Sequence, residues 1–184
     1  SLLTINDFSK ENTAIWITSN RNRNPGHEPR MNFLNFLLSK NNSNIHIYGR
    51  GIKPISDKFE FLSKSKYTIA IENYSDSDYW TEKIMDAYLS FTIPIYYGCT
   101  NLNNYFPEKS FISIDIEKPK IAYEKIEEII NSNYFEVYQN EIIEARNRIL
   151  NDYQFFPGIE KIINSKLNLG EKKNYNFYTT PKDS

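Results

Sequence analysis

The sequence predicts an α/β fold in which a parallel sheet carries helices on both faces. Two observations predict it. Short apolar runs alternate with segments of helical period, the pattern of repeated βαβ units. The runs also lack the polar alternation of a half-exposed strand, so they read as strands buried on both faces. The chain has 184 residues, 40% hydrophobic and 15% aromatic, enough for one domain with a core rich in Tyr and Phe.

Residues 1–13 have no clear period and are expected to be a linker or the remnant of a preceding domain. Residues 14–167 are expected to form the domain, and 168–184 a polar tail. Ala14–Thr18 reads as the first strand. A turn-rich loop follows, Ser19 to Pro29, with Arg21, Arg23 and His27 in it. Pro29 suits a first helical turn, and Met31, Phe33, Leu34, Phe36, Leu37 and Leu38 carry that helix to about Lys40. Ile45–Tyr48 is the second strand, closed by Gly49-Arg50-Gly51. Phe59–Ser65 reads as a short helix or turn, and Tyr67–Ile71 as the third strand. Ser77 and Asp78 are good helix caps, and Ile84, Ala87, Tyr88 and Phe91 follow at helical spacing. Ile93–Gly98 and Phe111–Ile114 are two more strands, with a helical turn at Asn101–Phe106 between them. Three helices close the pattern: one carrying Ile121 to Ile130, then Glu141–Asp152 and Gly158–Leu167.

Composition excludes several classes. The single Cys99 rules out an internal disulfide and any cysteine-cluster metal site, and two histidines rule out a multi-histidine site. No run approaches the roughly 20 apolar residues of a membrane span. The first apolar cluster, Leu2–Ile5, is too short for a signal peptide. A net charge of −1 argues neither for nor against nucleic acid through the whole-chain field, and none is expected as a partner. Any anion site must therefore be local.

In parallel α/β sheets ligands bind beyond the carboxyl ends of the strands. Here the loops after the first three strands carry Arg21, Arg23 and Arg30, then Arg50, then the polar stretch from Glu72 to Lys83. These loops would converge on one edge, and that predicts an anionic ligand, a nucleotide in the first instance. The start of the helix at Lys83 adds unpaired N–H groups and a positive dipole. The bland alternative is a Lys83 that points to water. Neither GxGxxG nor GxxxxGK[ST] is present. Asp76-Ser77-Asp78 has the look of a carboxylate pair for a divalent ion, though two Asp before a helix are more often turn or cap residues.

The run Ile71-Glu72-Asn73-Tyr74, Asp78-Tyr79-Trp80-Thr81-Glu82-Lys83-Ile84, then Ile93-Pro94-Ile95-Tyr96-Tyr97-Gly98, resembles the signature of the α-1,3/1,4-fucosyltransferase family. Asn104-Tyr105-Phe106-Pro107 with Ser110-Phe111-Ile112 extends the likeness. So do Trp16–Asn20, Arg30 and Tyr48–Gly51 upstream. The resemblance covers roughly residues 14–130. It implies a Rossmann-like domain similar to the C-terminal donor domain of a GT-B glycosyltransferase. It implies GDP-fucose as donor, no metal cofactor, and an inverting attack by a glycan hydroxyl on C1 of fucose. The acceptor glycan and the carboxylate base would come with a missing N-terminal domain. By position, Arg30 and Lys83 would neutralise the diphosphate, with Arg21 and Arg23 as alternatives to Arg30. Glu82 would accept from the ribose hydroxyls, and Asn73 and Tyr79 would position phosphate and sugar. Glu72 is read as structural. The chain is expected to be soluble as given, with the full-length protein cytoplasmic or peripheral to a membrane. The competing expectations are a different GDP-sugar or metal-dependent transferase using Asp76 and Asp78, and a nucleotide-sugar-binding or interaction module that is inactive alone.

Overall fold

The computed structural model describes residues 10–20, 28–153 and 163. Five strands form one sheet: β1 Glu11–Ile17, β2 Ile45–Tyr48, β3 Ser65–Ile71, β4 Ile93–Tyr97 and β5 Ile112–Ser113. All neighbours are parallel, in the order β2-β1-β3-β4-β5. The strands are apolar because both faces are covered, and Ala14, Tyr67, Ile93 and Ile95 have no exposed surface. β1 starts three residues before the apolar run. Glu11–Thr13, read from sequence as linker, are strand: Glu11 pairs with Ser65 and its N–H donates to Lys64 O at 2.9 Å.

Helix α1, Glu28–Lys40, buries Phe33, Leu34 and Leu37. It lies against α4, Pro119–Ile130, through Phe36 on Tyr123. Helix α2, Lys58–Leu62, and helix α3, Glu82–Leu89, are joined by the Lys58–Asp86 ion pair. Helix α6, Gln139–Arg148, packs on α3 and runs into a π-helical turn at Ile149–Tyr153. A four-residue helix, α5 Tyr134–Val137, precedes it and was not visible as a periodic segment. The helix expected at Gly158–Leu167 lies outside the described residues, apart from helical Ile163. Among the described residues no helix is long and apolar enough to cross a membrane.

The strand order fixes where a ligand can sit. From β1 the chain moves outward to β2, then returns past it to β3 and continues the other way. The crevice lies where the direction reverses, between the carboxyl ends of β1 and β3.

Candidate functional site

At that crevice lies a cavity of about 690 Å³. The loop after β1 contributes Thr18 and Ser19, the turn after β2 contributes Gly49–Gly51, and the segment after β3 contributes Asn73. The three polar loops converge as their sequence positions predict. Gly49 makes the convergence close: its φ is +127°, and a Cβ there would lie 1.7 Å from the carbonyl oxygen of Thr18.

Arg30 reaches back from the first turn of α1. Its guanidinium donates to Thr18 Oγ1 and to Ser19 O, both at 2.7 Å. Only 6% of the residue is exposed, and burial lowers its pKa from the ordinary arginine value. An arginine still carries its charge under these conditions, so the cavity wall is cationic here.

Lys83, in the first turn of α3, lines the same cavity. Its ammonium does not point simply to water. It donates to Glu72 Oε2 at 3.0 Å and to Thr81 Oγ1 at 3.0 Å. Burial works to lower the Lys83 pKa. The hydrogen bond and charge of Glu72, with Glu82 and Tyr79 adding to them, outweigh burial and hold it above the usual lysine value. The Glu72 side chain is fully buried and also accepts from Thr81 N at 2.9 Å and Thr81 Oγ1 at 2.8 Å.

The expected cap residues are corrected by this arrangement. Thr81, not Ser77 or Asp78, caps α3, with its hydroxyl oxygen facing Lys83 N. Asp78 instead adopts φ +61° and is held by the loop after β4. Its N–H donates to Asn101 Oδ1 at 2.8 Å, and its carboxylate accepts from Asn101 Nδ2 at 2.7 Å and from the Tyr105 hydroxyl at 2.6 Å. These two donors lower the Asp78 pKa, and the carboxylate in turn pushes Tyr105 up to about 12. Asp76 Oδ1 accepts from the N–H of Ser77. Among the described residues no group of three or more His, Cys, Asp or Glu is placed to hold a metal ion.

Of the residues singled out from the sequence, Arg30, Asn73 and Lys83 meet at the cavity. Glu82 and Tyr79 do not line it. Glu82 opens α3 with its side chain 65% exposed, 3.5 Å from Lys83 Nζ. The ring of Tyr79 packs edge-on against Tyr74. Arg21, Arg23 and His27 lie outside the described residues. Lys58 and Asp86 line the cavity and were not singled out. The spacing of Asp86 from Lys83, three residues along one helix face, was the available signal.

The family model for the C-terminal domain of glycosyltransferase family 10 (fucosyltransferase) matches residues 8–140. The chain belongs to this family. It is 34% identical over 131 residues to 4-galactosyl-N-acetylglucosaminide 3-alpha-L-fucosyltransferase 9 of Mus musculus, covering 68% of this chain and 35% of the mouse enzyme. A 60-residue stretch is 45% identical to the alpha-(1,3)-fucosyltransferase FucT of Helicobacter pylori, 33% of this chain and 13% of that one. An alpha1,3-fucosyltransferase solved with GDP-fucose superposes with a TM-score of 0.58 at 26% identity, over 82% of this chain and 50% of that chain. TarM of S. aureus shares the fold alone, at 16% identity and a TM-score of 0.56. This fucosyltransferase-family domain thus spans about a third of the mouse relative and half of the solved one. Its Rossmann-like sheet is that of GT-B glycosyltransferases.

Proposed function

We propose that this domain binds GDP-fucose and serves as the donor half of an inverting fucosyltransferase that works without a metal ion. The observation that carries the reading is the meeting of Arg30 and Lys83 on one cavity at the β1/β3 crevice, in a domain related to an enzyme solved with GDP-fucose. In the reaction a glycan hydroxyl oxygen bonds to C1 of fucose while the C1–O bond to the β-phosphate breaks. The hydroxyl proton passes to a carboxylate of the N-terminal domain, which also holds the acceptor. The electron pair goes to the departing diphosphate. Fixed positive groups are needed where that charge grows, and the Arg30 guanidinium and the Lys83 ammonium supply them. Arg30 can fork to two phosphate oxygens, whereas Lys83 acts as a point charge. Asn73 completes the cavity wall. Glu82 accepts from the ribose hydroxyls and Tyr79 orients the sugar. The full-length enzyme sits at a membrane surface or in the cytoplasm.

Calorimetry tests this. The chain is expected to bind GDP equally well with and without a chelator. Lys83→Ala is expected to weaken GDP about tenfold to a hundredfold, the worth of a charge-assisted hydrogen bond, and guanosine by less than about twofold. Binding that requires Mn²⁺, or equal losses for GDP and guanosine, overturns the assignment.

A further inference from the structure

We propose that Glu72 is a positioning residue of the site: its buried carboxylate, directly and through Thr81, fixes Lys83 on the cavity wall. The inference rests on the GDP-binding reading above. A fully buried carboxylate is costly unless it is paired and hydrogen-bonded. Among the described residues Glu72 meets that condition with groups from one short stretch, the N–H and hydroxyl of Thr81 and the ammonium of Lys83. A purely structural carboxylate could have been satisfied by any backbone donor. This one spends its hydrogen bonds on the cap of α3 and on the cation beside it.

The surroundings enforce the arrangement. The N–H of Glu72 donates to Tyr97 O at 2.8 Å, which continues the β3–β4 ladder and fixes the backbone. Gly98 leaves its own Cβ position open, and the side chain of Glu72 fills that space. Thr81 is the hinge of the network. Its hydroxyl donates to the carboxylate while its oxygen accepts from Lys83 Nζ. The phosphate-facing lysine is therefore ordered before ligand arrives, and little side-chain entropy remains to be lost on binding.

The same geometry has a pH consequence. Lys83 is faced by Glu72 from the end of β3, by Tyr79 from the loop and by Glu82 on its own helix. Arg30 from α1, Arg50 from the β2 turn, Lys58 from α2 and Asp86 on α3 line the cavity with it. Of these, Glu72 is the group that most offsets the burial of the ammonium. Without its charge, burial dominates and Lys83 releases its proton at lower pH.

The experiment is GDP affinity by calorimetry from about pH 6.5 to 9.5, for the wild-type chain, Glu72→Gln and Glu72→Asp. The wild type keeps Lys83 charged over this range, and each variant is read as its ratio to wild type at the same pH, which cancels the titration of GDP itself. Glu72→Gln is expected to lose about tenfold at the alkaline end, because its alkaline limb moves down by about two pH units, into the measured range. Glu72→Asp keeps the charge but withdraws it by one methylene, so its limb moves the same way by less. It carries the test alone should Glu72→Gln not fold. A residue that only supports the fold would change affinity or melting temperature without moving the limb. Variant and wild-type limbs that superimpose overturn this inference and leave the GDP reading standing. A wild-type chain that binds no GDP overturns both.

Discussion

A methyl group at Gly98 would lie 2.5 Å from Cγ of Glu72 and 2.8 Å from the hydroxyl oxygen of Tyr96. The backbone there also has φ +152°, which L side chains rarely adopt. Neither neighbour can yield. Glu72 is locked by Thr81 and Lys83, and the Tyr96 hydroxyl accepts from Cys99 N at 3.1 Å. Gly98→Ala should therefore cost about 3 kcal/mol, the sum of overpacking and backbone strain, read as a lower urea midpoint with unchanged slope. It should also weaken GDP, because the displaced carboxylate carries Lys83 with it. A variant as stable as wild type would mean that Glu72 has room to move, and the tight β3–β4 account of the site would be wrong.

Helix α3 shows what a sequence window can and cannot see. Its apolar face, Ile84, Ala87 and Tyr88, is legible as period, and all three are buried. The other strands and long helices were legible for the same reason: burial on both faces of a sheet, or along one stripe of a helix, writes itself into spacing. The start of α3 was not. Ser77 and Asp78 have the right chemistry for a cap, but Asp78 is claimed by Asn101 and Tyr105, more than twenty residues on. A partner that arrives through the fold leaves no local trace. The partners of Glu72 were hidden on the same ground, since they depend on a chain reversal that returns Thr81 to it. Arg30 and Lys83 could be picked out from the basic loops and the helix start, with their roles implied by family resemblance, and Asp86 by its spacing from Lys83, while Lys58 needed the ion pair that joins α2 to α3. The two cap assignments predict different mutants. Thr81→Val should destabilise by about 2 kcal/mol, from the lost cap and a buried carboxylate left short of donors. Ser77→Ala, at an exposed turn, should stay within about 0.5 kcal/mol of wild type. The reverse ranking in thermal or urea unfolding would return the cap to Ser77.

At the scale of the whole molecule, the two ends of the sheet have separate tasks. The carboxyl end gathers loops around the cavity, and the opposite end holds the layers together. There Lys10, just before β1, donates to Ser63 O at 2.5 Å, Ser65 O at 3.2 Å and Ser90 O at 2.9 Å. One ammonium thus ties the start of the sheet to the ends of α2 and α3. Burial lowers its pKa from 10.5 to about 8. Between those two values the unfolded chain still holds a proton that the folded chain has released, so stability should rise with pH across that window. The buried tyrosines act in the opposite sense. Burial raises Tyr67, Tyr88 and Tyr96, so above about pH 10 the unfolded chain sheds protons that the folded chain keeps, and stability should fall. The two effects together predict a maximum of melting temperature on the alkaline side, between about pH 9 and 10. Lys10→Met should abolish the rise and keep the fall. Parallel curves for wild type and variant would show that Lys10 remains charged throughout, held by its three carbonyls against the cost of burial.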